Sequence, residues 1–338
     1  MKQYIMNIRV PIPDKEYKLL VRCATYNHSK YICDALNGFA IQETDFPFIC
    51  IVVDDASKDG NQEVIKQYAN DNCDMSKTEI SVDDISKYIR VPHKTNTNCV
   101  FLFCLLKVNL YCKPEKQEIY KPYREVCEYE ALCEGDDYWI DEQKLKKQVK
   151  VMDDNDACML SFHSINEIYE NNHERDHVRC HVENREYSGM EWYKKRPSQY
   201  ASFVIRTSLF KDSFYMDNVV GKFSAGDIPM VIYCSKIGKL IGCSDVMSVY
   251  RHNGGGWTAK KLTKEEINKR LNLHLRYSIF GKEYEEASKF FFQRDCIGIF
   301  VSSLLKGNLN FNLLIKSIKV SLSGTIRCFW LVLNRKHV

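Results

Sequence analysis

Ala131-Leu-Cys-Glu-Gly-Asp-Asp-Tyr-Trp139 decides how the chain is read. A short apolar run stops abruptly in three carboxylates, Glu134, Asp136 and Asp137, set in a turn that contains a glycine. Carboxylates this close repel one another unless a cation or a set of donors compensates them. A hard divalent cation held by one or two carboxylates keeps coordination positions open, and phosphate oxygens can fill those.

Upstream, Lys18 to Ala24 reads as a strand, and a polar loop from Thr25 to Lys30 follows it. Ile32, Ala35, Leu36, Phe39 and Ala40 then recur at the spacing of one helix face. Phe48 to Val53 is apolar throughout, as expected of a strand covered on both sides, and it ends in Asp54-Asp55. Two strands thus end in acidic loops, and in open α/β sheets ligands bind beyond the carboxyl ends of strands. Further on, the pattern predicts a helix over Asn61–Tyr68, a strand at Ile89–Val91, a buried helix over Val100–Leu110 and a strand over Val126–Cys133. Asp141 is the expected N-cap of a helix through Val149, and Ser188 with Glu191 forms a capping box. A strand at Ala201–Ile205 precedes a helix from about Thr207. Next come a short helix inside Gly226–Gly238, a strand over Lys239–Tyr250 and the glycine run Gly254–Gly256. The segments Asn70–Lys87 and Cys112–Arg124 read as polar insertions without an assignable role.

The 338 residues are 45% apolar, enough for a substantial core. No uncharged apolar run reaches the roughly eighteen residues of a spanning helix, and Met1–Tyr17 lacks a signal-peptide core. The fifteen cysteines include no Cys-x-x-Cys pair, which argues against zinc ribbons and disulfide frameworks and for a reducing, cytoplasmic setting. The net charge of +4 hides an asymmetry: from Lys260 onward fifteen basic residues face six acidic ones. No basic-aromatic motif of a nucleic-acid module accompanies this excess, so nucleic acid is not an expected partner. From Ile297 the segment is amphipathic, with Phe311, Ile315, Ile318 and Trp330 interleaved with Lys316, Lys319 and Arg327, and no acidic residue follows Asp295. It suits either an anionic membrane surface or packing against protein.

The order Thr25-Tyr-Asn27, Val53-Asp-Asp-Ala-Ser57, Glu134-Gly-Asp-Asp-Tyr-Trp139, Gly226-Asp227 and Tyr250-Arg251 resembles the family-2 glycosyltransferases of GT-A fold from about Leu19 to Trp257. The resemblance implies an α/β fold with a mixed, mainly parallel sheet flanked by helices. It also implies a domain over 17–258, divided into a nucleotide-binding half (17–140) and an acceptor half (141–258), before a helical basic extension over 259–338. By the same resemblance Thr25, Tyr26, Asn27, Asp55, Ser57 and Asp136 line the nucleotide site, Asp137 with Asp136 holds Mg²⁺ or Mn²⁺, and Asp227 is the catalytic base. Glu134, Trp139, Arg251 and His252 become possible substrate or diphosphate contacts. The implied reaction is inverting transfer of a sugar from a nucleotide diphosphate donor, a UDP-sugar foremost, to a hydroxyl of a growing surface glycan. That acceptor is expected to be lipid-linked, with peripheral contact at the inner face of the cell membrane. Carboxylates suit this chemistry in their own right: one can take the proton of an attacking hydroxyl, and a cation they hold favours departure of a diphosphate. Asp227, just before Ile-Pro at a helix start, also has the form of an N-cap. A nucleotide-sugar-binding scaffold without catalysis is one alternative. A sugar-phosphate nucleotidyltransferase is another, although Thr25–Lys30 lacks the glycine of that class's phosphate loop.

Overall fold

The computed structural model describes residues 8–111, 113–223, 226–254, 263–305, 307 and 311–333. The glycine run beyond Gly254, with Trp257, lies outside them. Contacts divide the chain into a unit of Met1–Lys222 with Gly226–Thr258 and a unit of Phe223–Ala225 with Ala259–Val338.

The first unit opens with β1 (Leu19–Thr25), α1 (Ile32–Ala40), β2 (Phe48–Asp54) and α2 (Asn61–Asn72). Next come β3 (Glu79–Val82), β4 (Ser86–Pro92), β5 (Cys99–Leu106), α3 (Lys121–Val126), β6 (Tyr129–Glu134), β7 (Tyr138–Trp139) and α4 (Lys144–Asp153). The remainder is β8 (Cys158–Tyr169), β9 (His177–Val178), β10 (Glu186–Tyr187), α5 (Gly189–Lys195), β11 (Val204–Arg206), α6 (Ser213–Asn218), α7 (Asp227–Ile237) and β12 (Lys239–His252). The strands form a mixed sheet in the order β10-β12-β8-β11-β6-β1-β2-β5-β4-β3, with β7 on β12 and β9 on β8. β6, β1, β2 and β5 are mutually parallel, and so are β8 and β12. The halves expected over 17–140 and 141–258 therefore share one sheet, joined where β11 pairs antiparallel with both β6 and β8.

Burial explains the central strands. β2 is buried along its whole length between β1 and β5, with helices covering its faces, so it tolerates no alternation. The helix expected over Val100–Leu110 is instead β5, whose eight residues Cys-Val-Phe-Leu-Phe-Cys-Leu-Leu are all buried. An apolar run without a polar face carries no period, and pairing with β2 and β4 on either side decided for strand. The segment 70–87 resolves into the end of α2 and the edge strand β3, whose side chains are mostly exposed. Asp141 lies short of the helix it was expected to cap: α4 begins at Lys144, and the Asp141 carboxylate accepts from Gln143 N (2.7 Å) in the turn before it. Ser188 does cap α5, accepting from Glu191 N, but the Glu191 carboxylate turns to Arg185 rather than closing the box.

The second unit is helical: α8 (Lys264–Leu275), α9 (Lys282–Leu305), α10 (Phe311–Val320) and α11 (Leu322–Leu333). A complete capping box, Thr263 with Glu266, starts α8. Its core gathers Leu271, Phe292, Cys296, Phe300 and Leu313. No helix among the described residues is long and apolar enough to cross a membrane.

Candidate active site

Three neighbouring parallel strands present their carboxyl ends side by side. In register Thr25 stands opposite Asp54, and Ala24 opposite Glu134, so the loops after β1, β2 and β6 emerge together. The first two loops are tied to each other. Asn27 and Ala56 both adopt left-handed backbone (φ 57° and 59°), Asn27 N donates to Ser57 Oγ (2.9 Å), Lys58 N donates to Asn27 Oδ1 (2.8 Å), and Ser29 N donates to Asp59 (2.9 Å). Tyr26 stands out from this knot with its ring exposed.

The adjacent aspartates at the end of β2 have different jobs. Asp54 is buried and accepts from Ser57 N, Asn61 Nδ2 and Gln62 Nε2, so it builds the loop. Asn61 also donates to Thr25 Oγ1 (3.1 Å), joining the ends of β1 and β2. Asp55 is buried as well, and its partners come from the segment 107–120: Leu110 N at 2.5 Å and Lys116 Nζ at 2.9 Å. The insertion that had no role in the sequence reading thus supplies the cation facing Asp55. Nothing in the sequence pairs Lys116 with a residue sixty-one positions earlier.

The acidic turn is pressed against this knot. Gly135 N donates to Ala24 O (3.0 Å), and a Cβ at Gly135 would stand 2.5 Å from Thr25 Oγ1, so any side chain there forces the turn away. On its other side the turn is held by β12: Trp139 and Tyr138 pair with Ser248 and Val249. Trp139 is core, its indole N–H donating to Ala201 O (2.9 Å) and its ring packed edge-on against Phe39, so it supports the turn from beneath and presents no face to a ligand. Gly38 of α1 allows that contact, since a Cβ there would lie 2.8 Å from the Trp139 backbone.

Arg251 is the brace. Its backbone N donates to Asp137 Oδ1 (2.9 Å), its Nε to Asp136 O (3.0 Å), and its two terminal nitrogens to Glu170 and Asp34, with the guanidinium between the Tyr31 and Tyr138 rings. All three guanidinium nitrogens are engaged by protein, which orients the turn. His252 turns away from the acidic turn, bonding Glu167 (3.1 Å) and stacking on Tyr169.

What remains open is acidic. Asp136 Oδ2 meets Asn253 Nδ2 (3.0 Å) and His28 Nε2 (3.6 Å), a histidine whose spacing in the sequence suggests a surface or satisfied residue rather than a ligand. Asp137 Oδ2 is buried with no hydrogen-bond partner among the described residues. Burial, then the charges of Asp136 and Glu134, hold the Asp137 carboxyl well above the usual carboxylate range, against the pull of Arg251 N–H. Glu134 is pushed up to about 7 by its surroundings, with the charges of Asp136 and Asp227 adding to the shift. Its side chain is crowded by protein yet exposed to water. Asp227, the first residue of α7, is held above its ordinary value by burial, opposed by Ile228 N–H and by Arg196 and Arg179. Its charge is felt at Glu134, so residues ninety-three positions apart share one electrostatic environment.

No group of three or more His, Cys, Asp or Glu side chains among the described residues is arranged to hold a metal ion by itself. The donor set still suits a hard cation that takes one or two carboxylates and completes its shell with phosphate oxygens. Asp137 brings a buried carboxylate oxygen with no partner, and Asp136 lies beside it.

Residues 23–94, which run from within β1 past the end of β4, match the family model Glycosyl transferase family 2. An uncharacterized protein of Mycobacterium tuberculosis, Rv1520, is 36% identical over 146 residues. That match takes in 43% of this chain and 34% of the relative, so the chain spans about a third of the length of the curated relatives it matches. Among solved structures, residues 1–349 of S. aureus TarS in complex with UDP-GlcNAc superpose with a TM-score of 0.56 at 15% identity, over 92% of this chain and 81% of that one. The mannosyltransferase PcManGT from Pyrobaculum calidifontis, in complex with GDP-Man and Mn²⁺, gives a TM-score of 0.51 at 13% identity, over 98% and 91%. Residues 23–94 thus carry the likeness to family-2 glycosyltransferases, and the mixed sheet that holds them has the GT-A fold of these neighbours.

Proposed function

We propose that this enzyme transfers a sugar with inversion from a UDP-sugar to a hydroxyl of a growing, lipid-linked surface glycan. The observation that supports the reading is the crowding of Glu134, Asp136 and Asp137 in the turn after β6, with the charge of Asp227 at the start of α7 felt at Glu134. Carboxylates crowded so that they raise one another's pKa are a liability to stability alone. They make sense around a cationic or proton-donating ligand.

In this reading the exposed Tyr26 ring and the knotted loops with Thr25, Asn27 and Ser57 receive the nucleoside. Asp55 faces the base with Lys116 beside it. Asp136 and Asp137 hold Mg²⁺ or Mn²⁺, which when bound neutralises charge developing on the departing diphosphate. Arg251 keeps both aspartates in place through the contacts it makes with the turn. Asp227 takes the proton of the acceptor hydroxyl. Its raised pKa makes it a better proton acceptor than an exposed aspartate, and its place at a helix start keeps the ionised form accessible. One displacement with the base opposite the leaving group inverts the anomeric centre, through the oxocarbenium character known from glycoside hydrolysis.

The test is a panel of nucleotide-sugars with Mn²⁺, assayed for diphosphate release in the parent and in Asp227→Asn. Release by the parent, lost in the variant while UDP still protects it from unfolding, supports transfer with Asp227 as base. Protection without release by the parent from any donor would instead leave a binding scaffold.

A further inference from the structure

The helices α10 and α11 turn a large apolar face outward. Facing α9 and each other they bury small and polar groups. Gln293 Nε2 of α9 donates to Ser317 O (3.1 Å) and Ser321 O (2.7 Å), and Ser317 Oγ meets Thr325 Oγ1 at 2.8 Å. Cys328 and Thr325 are buried in the same seam, and Gly324 passes so near Gln293 that a Cβ would stand 2.3 Å from its oxygen. Outward, the same helices present Phe311, Ile315 and Ile318, then Leu322, Ile326, Trp330 and Leu333, from 41% exposed at Ile318 to 69% at Leu333. Both sets recur at three- and four-residue spacing, so each helix shows one large apolar face. The inner side joins this small, hydrogen-bonded seam to the apolar packing of Leu313, Leu314, Val320 and Phe329, so the large aliphatic residues outside are in excess of what the helix core needs and are available to lipid.

We propose that this α10–α11 pair is a membrane-docking element that lies in the surface of an anionic bilayer. Among the described residues length excludes spanning: ten and twelve helical residues measure about 15 and 18 Å against a hydrocarbon core of about 30 Å. Charge selects the lipid. Lys319 and Arg327 each follow an exposed isoleucine of the outer face, Lys316 and Lys319 border a cleft with Ile315 and Leu313, and no Asp or Glu occurs after Asp295. A second copy docking on this face would bring basic residues against basic residues with no acid on either helix to pair them. Anionic headgroups supply that missing partner. The inference stands apart from the catalytic reading, since it uses only the second unit.

The test uses the full chain in flotation with vesicles of phosphatidylcholine alone and of phosphatidylcholine with phosphatidylglycerol. The parent protein is expected to float with the anionic vesicles. Lys319→Gln with Arg327→Gln is expected to weaken that binding roughly thirtyfold, from the usual contribution of a basic residue at an anionic surface. Ile318→Glu with Ile326→Glu is expected to abolish it. Both pairs are exposed, and unchanged UDP protection in the variants separates loss of docking from loss of the active site. Absence of parent binding to anionic vesicles overturns the proposal, as does binding that ignores both pairs. A concentration-dependent dimer abolished by Ile318→Glu with Ile326→Glu, without vesicle binding by the parent, overturns it in favour of self-association.

Discussion

Lys144→Met is expected to make the protein more stable at pH 7, and the gain is expected to vanish as the pH rises. Lys144 is wholly buried beneath the acidic turn, its ammonium bonded to Gln148 Oε1 (2.8 Å) and standing 4.1 Å from the centre of the Trp139 ring. Burial pushes its pKa from 10.5 down to about 7, only partly offset by Cys133, Cys243 and Asp141. Between those values the unfolded chain binds a proton that the folded one does not, so stability rises with pH at up to about 1.4 kcal/mol per unit. Below about pH 7 both states are charged, and the folded state carries the full desolvation cost of several kcal/mol, on the order of 5. Methionine is similar in length and carries no charge, but it forfeits the Gln148 bond and the contact with the Trp139 face, worth about 1–3 kcal/mol together. The net gain is thus about 2 kcal/mol near pH 7 and shrinks to nothing or reverses by pH 10. Urea unfolding of parent and variant from pH 6.5 to 10 measures it. The difference between the two is the quantity to read, because the buried cysteines, whose thiols burial holds in the protonated form, destabilise both alike in alkali. A variant less stable at pH 7, or a difference that does not change with pH, refutes the reasoning.

The acidic turn yields further expectations. Gly135→Ala brings a methyl group against Thr25 and should cost about 2 kcal/mol in urea unfolding, together with loss of UDP protection. Lys116→Ala leaves the buried Asp55 with a single donor on its carboxylate and should destabilise by about 2–3 kcal/mol, whereas Lys121→Ala, an exposed neighbour, should be silent. Because Glu134 is pushed up to about 7, the affinity for Mn²⁺ with UDP should climb by up to about fivefold from pH 6 to 7 and by only about twofold more above that, as calorimetry at a series of pH values would show. Glu134→Gln should flatten that dependence.

The sequence was most legible where burial is uniform or a ligand demands particular residues. β2 and the helical spacing of α1 could be read directly, and three acids beside a glycine marked the end of β6. β5 misled because eight apolar residues without alternation describe a buried strand and a buried helix equally well. β3 was missed because its alternation, Glu-Ile-Ser-Val, is only four residues long inside a polar stretch. At the site, sequence could not divide the work of Asp54 and Asp55, which differ only in whether the partners come from the same loop or from the segment 107–120. Arg251 reads like an anion ligand, and only its three-way bonding reveals a brace. His28 and Lys144 are inconspicuous in the chain, and each matters through a neighbour that the fold supplies.

The most direct test of the account is calorimetric titration of UDP, with and without Mn²⁺, into the parent and into Asp136→Asn combined with Asp137→Asn. The account predicts binding that Mn²⁺ strengthens in the parent, and loss of that strengthening in the double variant. UDP binding that is the same in both proteins, with or without the metal, would contradict it.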